Sequence, residues 1–543
     1  MDTQDSADIE GFLLQVNRKG VRLWLEDGRL RFRAPKDALT PIELLRLREL
    51  KTEITALLQN GRPLRHRAVG ANIAPLAYSQ LQHWNFYQYP HHRALRHLCS
   101  VTHLRGQLDV DALRKSLDAV VQRQESLRTQ FPVYDGTPVQ EVLERGDREL
   151  RFVDLSHIPP QSVDAEIDRE IDASILTSID VSSGPLFEIK LLRLGERDHV
   201  LIVAMEHIIS DMWSLNVLSR DLFQSYVQAV TTHEPYLPEL PVKFCEHAAS
   251  QRREQSEWLK RHGSYWNDRL AGFGRLNFPV DELARQECRA GWGMSPVNLG
   301  PPLSAELREW CRVNRTTVVL SMLTAYIALV LRWCKVSETV VRYEASGRDD
   351  PLVHDAIGYF TYPLYLVVAL VDGDTFSDLL VRVTEEYCQA TEHADFSYVE
   401  AQLPRPEFSR NTSFNWVPRG TTVFPPLLDG TALALQRSSR PVMNPFLRTL
   451  ERDTEPNILF GEDCLAALAA LGERNRNGRI VSGRNAFGGV QLEAEDEIAG
   501  GVYFPRNRFS SATMGKFGRN FVRFVEVLAR DPERRIATIA VEE

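Results

Sequence analysis

The residues best placed to do chemistry lie in one short string, Met205-Glu206-His207-Ile208-Ile209-Ser210-Asp211-Met212-Trp213-Ser214. His207 and Asp211 stand four apart where an apolar run gives way to a polar, helix-starting stretch, a kind of junction that often holds active-site groups. An imidazole takes up and releases protons near neutral pH. A nearby carboxylate could orient that ring or anchor its loop through an arginine. Spacing alone does not choose between these roles, because satisfied structural histidines and charge pairs are also common. The sequence offers no metal or nucleotide motif. Its seven cysteines are odd in number and scattered, with no C-x-x-C pair, which fits reduced thiols in the cytosol.

The elements that must position this string follow from periodicity. Residues 199–205 (HVLIVAM) read as an apolar strand, 214–231 as the helix after it, and 109–124 as an earlier helix. A comparable series recurs after Gly272: helices over 304–314, 317–334 and 376–394, a strand over 339–343, and a last helix over 510–529. This is α/β patterning in two lobes of similar size. A length of 543 residues also exceeds what one core usually serves. The stretch 421–489, rich in Pro, Arg, Asn and Gly, is expected to form long loops or an insertion.

A separate unit precedes the lobes. Phe12, Leu13 and Val16 repeat at helical spacing, while Val21 to Leu25 and Arg29 to Arg33 alternate with period two around Glu26-Asp27-Gly28, a hairpin signal. Thr40, Pro41 and Glu43 supply an N-cap, an N1 proline and an N3 acid for a second helix through Leu44, Leu47, Leu50, Ile54 and Leu57. Gly61 to His66 reads as a linker. The expected division is therefore 1–60, a linker over 61–72, a first lobe over 73–272 and a second over 273–543. Alternation puts Arg29, Arg31 and Arg33 on one strand face. Such cations either protect a sheet edge from aggregation or form a docking surface for an acidic peptide added as a strand.

Composition narrows the function classes. The chain is 43% hydrophobic and 25% charged, with a formal net charge of -9, which argues against a general nucleic-acid binder. Its acidic N-terminus lacks the features of a secretory signal, so no export is expected. The apolar run over 317–331 is shorter than a membrane span and contains Ser321, Thr324 and Tyr326, so it reads as a buried helix.

Motifs in order along the chain resemble the condensation domains of nonribosomal peptide synthetases. Pro75 to Gln80 with Trp84, Arg123 to Phe131, Glu206 to Met212, Tyr265 to Leu270, Ser346-Gly347-Arg348, Ile357 to Phe360 and His393-Ala394-Asp395 carry the likeness from Ile73 onward. It implies two chloramphenicol-acetyltransferase-like lobes in a V, an α/β (α+β) pseudodimer with a tunnel between them. His207 would be the catalytic base or the positioner of the nucleophile. Asp211 would be structural, with Arg123 or Arg348 as its partner. Glu206 stands where the family has its first histidine and Met212 where it has glycine. With Trp213 and Ser214 they complete the motif along the expected tunnel, where Met212 would reshape the donor path.

The likeness further implies an acyl group received as a carrier-protein thioester and passed to an amine or hydroxyl, giving an amide or ester. The acceptor would be a small molecule, in a chain-releasing step, or carrier-bound. No cofactor is expected in the chain itself, since the phosphopantetheine arm belongs to the partner. Phe487-Gly488-Gly489-Val490-Gln491 has Gln491 where a carrier would need serine, and no adenylation or thioesterase region is expected after Glu543. The N-terminal unit resembles a β-hairpin docking domain, whose Arg29, Arg31 and Arg33 would take a short acidic tail from an upstream carrier. The expected location is cytoplasmic, without a membrane or nucleic-acid partner. The rival expectation, motivated by Glu206 and Met212, is a degenerate domain that recruits carriers or tailoring enzymes.

Overall fold

The computed structural model describes residues 22–26, 29–33, 39–52, 54–55, 72–87, 98–134, 136–146, 149–279, 281, 292–394, 412–417, 434–437, 457–461, 498–506 and 508–542. The helix expected around Phe12, residues 61–71 of the linker and most of 421–489 lie outside these residues.

In the N-terminal unit, β1 (Arg22–Glu26) and β2 (Arg29–Arg33) form an antiparallel hairpin, with Arg29, Arg31 and Arg33 in register with Glu26, Trp24 and Arg22. Arg31 is exposed. Helix α1 (Pro41–Glu49) starts with a complete capping box: the Glu43 N–H donates to the Thr40 hydroxyl oxygen at 3.3 Å, and the Thr40 N–H donates to the Glu43 carboxylate at 2.9 Å.

The first lobe opens with β3 (Ile73–Pro75) and α2 (Tyr78–Tyr87), followed by β4 (Leu98–Arg105) and α3 (Val110–Arg123). Three short strands, β5 (Thr129–Gln130), β6 (Val133–Tyr134) and β7 (Thr137–Val142), build a small side sheet with β3. The main sheet adds β8 (Leu150–Asp154), then α4 (Pro160–Leu176), β9 (Phe187–Gly195) and β10 (Asp198–Met205). Strand β10 runs antiparallel to both β4 and β9, and β9 parallel to β8. Its apolar run is continuous rather than alternating because both faces are covered. Leu201, Val203 and Met205 pack with Leu117 and Val120 of α3, while Val200, Ile202 and Ala204 pack with Ile167 and Ile171 of α4.

Helix α5 (Met212–Thr232) begins two residues before periodicity predicts, because Asp211 caps it and accepts the Ser214 N–H at 2.8 Å. Helix α6 (Phe244–Leu270) then crosses between the lobes: Trp258, Trp266 and Leu270 lie in the core of the second.

The chain beyond α6 supplies β11 (Trp292–Asn298), α7 (Gly300–Val313), α8 (Val318–Cys334), β12 (Glu338–Ala345), β13 (Tyr362–Ala369), α9 (Phe376–Glu392), β14 (Ser413–Val417), β15 (Ala434–Arg437), β16 (Asn457–Gly461), β17 (Ala499–Pro505) and α10 (Ser511–Arg530), all of which but β15 build the second lobe. Six of its strands form one mixed sheet in the order β11-β17-β16-β14-β12-β13. Helix α8 is the apolar run flagged in the sequence, and it is buried against α10 and the sheet. Among the described residues no single helix is long and apolar enough to cross a membrane. The region expected to be loops contains two strands, β15 and β16. They are too short for their periodicity to show, and pairing with distant partners defines them. Strand β15 joins the other lobe, antiparallel to β4.

Candidate active site

His207 opens a single 3-10 turn directly after β10, with Glu206 as its N-cap. The turn closes on itself: the Ser210 hydroxyl donates to the Glu206 carbonyl at 2.7 Å, and Nδ1 of His207 lies 2.8 Å from the Ser210 carbonyl oxygen. A carbonyl only accepts, so this contact places the ring proton on Nδ1 and the basic lone pair on Nε2. His207 is half-buried, whereas Glu206 is fully buried. One Glu206 oxygen accepts the Ile208 N–H and the other accepts the Tyr87 hydroxyl. Burial first, and then the Glu206 charge, raises the Tyr87 phenol well above its ordinary pKa.

Two further rings flank His207. That of Tyr359 lies 4.5 Å away, centroid to centroid, and that of His83 5.1 Å away. The Tyr359 hydroxyl is 3.2 Å from Nε2 of His83, whose Nδ1 is 3.3 Å from the Tyr87 hydroxyl. Helix α2 thus turns the face bearing Gln80, His83 and Tyr87 toward the His207 turn, and Gln80 donates to the Ile208 carbonyl at 3.0 Å.

Asp211 engages the contact between lobes. Its two carboxylate oxygens receive Nη2 of Arg348 at 3.0 and 3.2 Å, and Oδ1 also accepts the Ser214 hydroxyl at 2.7 Å. Arg348 donates as well to the Val353 and Ala356 carbonyls, both at 2.8 Å, and lies 4.1 Å from the Phe360 ring centroid. Desolvation lowers the guanidinium pKa, and the Asp211 charge opposes that shift. Gly347 lets the chain turn here: its φ is 65°, and a Cβ would collide with the Phe360 carbonyl oxygen.

The segment after Arg348 is sewn to the first lobe by side chains from its sequence motifs. Ser79 donates to the Tyr359 carbonyl at 2.7 Å and Ser126 to the Ile357 carbonyl at 2.6 Å. Gln124 accepts the Ile357 N–H and donates to the Asp355 carbonyl, each at 2.9 Å. The Trp213 indole N–H donates to the His354 carbonyl at 2.9 Å.

Of the two arginines weighed as partners of Asp211, Arg348 is the one in contact. Arg123 instead meets Asp221 at 2.5 Å and the Pro238 carbonyl at 2.7 Å, because its helix aligns it with the middle of α5 rather than its start. Trp213 and Ser214, expected along the tunnel, are engaged in the contact between lobes, and Ser214 is fully buried there. Met212 is 44% exposed. His83, Tyr87 and Tyr359 escaped the sequence reading as site residues. The available signal for the first two was the stripe Gln80, His83 and Tyr87, polar residues at helical spacing on one helix. Among the described residues no group of three or more His, Cys, Asp or Glu is placed to hold a metal.

A family model described as the condensation domain matches residues 71–416, well over half of the chain. The chain belongs to the condensation-domain family. A second model, the TubC N-terminal docking domain, matches residues 9–60, so this condensation domain is preceded by a docking domain. The enniatin synthase of Fusarium equiseti is 31% identical over 299 residues, covering 54% of this chain and 9% of that much longer protein, so the chain spans only a small part of this relative. Among solved structures, the complex of the X-domain and OxyB from teicoplanin biosynthesis aligns with a TM-score of 0.67 at 22% identity, over 89% of this chain and 98% of that one. The first condensation domain of the calcium-dependent antibiotic synthetase, in complex with a substrate analogue, aligns with a TM-score of 0.63 at 16% identity, over 87% and 99%. At these identities the two structures speak to the fold, which is the two-lobed condensation fold expected from the motifs.

Proposed function

We propose that this condensation domain joins an acyl group, delivered as a thioester on the phosphopantetheine arm of a partner carrier protein, to an amine or hydroxyl. His207 is the catalytic base. The observation that carries this reading is the 2.8 Å contact between its Nδ1 and the Ser210 carbonyl, which leaves Nε2 as the basic nitrogen of a half-buried ring. As the nucleophile attacks the thioester carbonyl, Nε2 receives its proton. The carbon–sulfur bond then breaks, and the proton passes to the departing thiolate. The product is an amide or ester together with the free carrier thiol. Asp211 and Arg348 hold the His207 turn against the second lobe. The chain acts in the cytoplasm, on a small-molecule or carrier-bound acceptor.

The docking domain supports an upstream carrier as donor, captured through a short acidic tail that pairs with the β2 edge near Arg31 and raises the carrier's local concentration. A second reading, recruitment of another protein without chemistry, is favoured by Glu206 and Met212 and by likeness to an X-domain solved in complex with OxyB.

Intact-mass analysis of an acyl-loaded carrier, mixed with the protein and a panel of amines and alcohols, tests the two readings. Enzyme-dependent loss of the acyl mass with a matching product, abolished in His207→Ala, supports condensation. Tight carrier binding without transfer, even with cognate donor and carrier-bound acceptor, supports recruitment.

A further inference from the structure

Glu206 occupies the position where the family has a histidine, and it begins a chain of contacts that ends on the rings beside His207. We infer that Glu206 is a positioning residue: through Tyr87 it locks His83 in one tautomer and so fixes the two rings, His83 and Tyr359, between which His207 is held. This deepens the proposed function and rests on His207 being the base.

The argument follows hydrogens along the chain. The Tyr87 hydroxyl has one hydrogen and donates it to the Glu206 carboxylate. Toward Nδ1 of His83, 3.3 Å away, the Tyr87 oxygen can therefore only accept, so Nδ1 must carry a proton. In a neutral ring Nε2 then bears the lone pair, and at 3.2 Å it accepts the Tyr359 hydroxyl. The direction of each of these three contacts, from Glu206 to Tyr359, thus follows from one carboxylate. A histidine at 206 would lack the second acceptor oxygen, since Glu206 binds the Ile208 N–H with one oxygen and Tyr87 with the other.

His83 and Tyr359 are enclosed, 6% and 9% exposed, and Tyr87 is half-buried, so water offers little competition at the His83–Tyr359 end of the chain. Their rings meet edge to face at 5.0 Å, and both touch His207. With Nδ1 of His207 tied to Ser210 and its ring flanked by His83 and Tyr359, the direction of Nε2 is fixed from three sides.

The test reads the His83 tautomer in the full chain labelled with 15N-histidine, its signals assigned by their loss in His83→Gln. The wild-type protein is expected to show protonated Nδ1 and lone-pair Nε2. Tyr87→Phe removes the hydroxyl link while leaving Glu206 in place, and Glu206→Gln offers an amide that can donate as well as accept. Each is expected to lose the single tautomer while retaining a cooperative melt, and to lower kcat with KM held. A wild-type His83 protonated on Nε2 alone, or a tautomer unchanged in a folded Tyr87→Phe protein, overturns the inference. The tautomer is read without substrate, so it stands or falls separately from the condensation assay.

Discussion

One nitrogen of Arg348, in the second lobe, lies 3.0 and 3.2 Å from the two oxygens of Asp211, which caps the helix following the His207 turn in the first. Both side chains are essentially inaccessible to solvent. Asp211 therefore serves at once as helix cap and as ion-pair partner across the lobes.

Removing it leaves a buried guanidinium without its counter-charge. Asp211→Ala is expected to lower the unfolding free energy by about 3–5 kcal/mol, measured by urea denaturation. A loss below about 1 kcal/mol, the value of a cap alone, would show that the pair contributes little.

His207→Ala is expected to slow condensation by roughly 10²–10⁴-fold while carrier affinity stays within error. Single-turnover assays with loaded carrier separate the two quantities, and equal loss of both would assign the histidine to binding instead.

At Gly347 the constraint is steric as well as conformational, which a second glycine can separate. Gly373 also has a positive φ, 94°, but a Cβ there meets nothing within 4 Å. Gly347→Ala is expected to cost about 1–3 kcal/mol more than Gly373→Ala, in line with the penalty for overpacking, and equal costs would remove the clash from the account.

Reversing Arg31 to Glu is expected to weaken binding of an acidic carrier tail, and raising salt should weaken the wild-type interaction in the same direction. Titration of a fluorescent acidic peptide checks both, and unchanged affinity would count against docking on this edge.

His199, buried on β10, has its pKa lowered chiefly by desolvation, with Arg193 adding to the effect. The unfolded chain takes up this proton near pH ~6.5, before the folded chain does. Stability is thus retained above that pH and falls as the pH drops toward the folded value. The urea midpoint should decrease between pH 7.5 and 5.5, and decrease less in His199→Gln (test conditions chosen to bracket about 6.5).

Much of this site could be read from the sequence because its chemistry is local. The run ending at Met205 and the string after it mark strand, turn and helix by residue type alone, and Thr40-Pro41-Glu43 spells out a capping box that the structure forms. The choice of Arg348 over Arg123 could not be read, since either could meet a carboxylate until the folded chain sets their distances. His83 and Tyr359 are 276 residues apart and meet only once the lobes close, so no periodicity connects them. Asp211 as a cap was legible in principle, but periodicity finds the apolar interior of a helix better than its polar first turn.

Strand β15 has a consequence for how the protein is made. Its partner β4 ends at Arg105 and waits for Ala434, about 330 residues later, to complete the pairing. At ribosomal speeds of roughly 5–20 residues per second, the β4 edge spends on the order of tens of seconds without that cover while the rest of its sheet is already available. The first lobe is thus finished by chain that emerges long after it, and the nascent protein carries an open strand edge for chaperones or like chains to find through most of its synthesis.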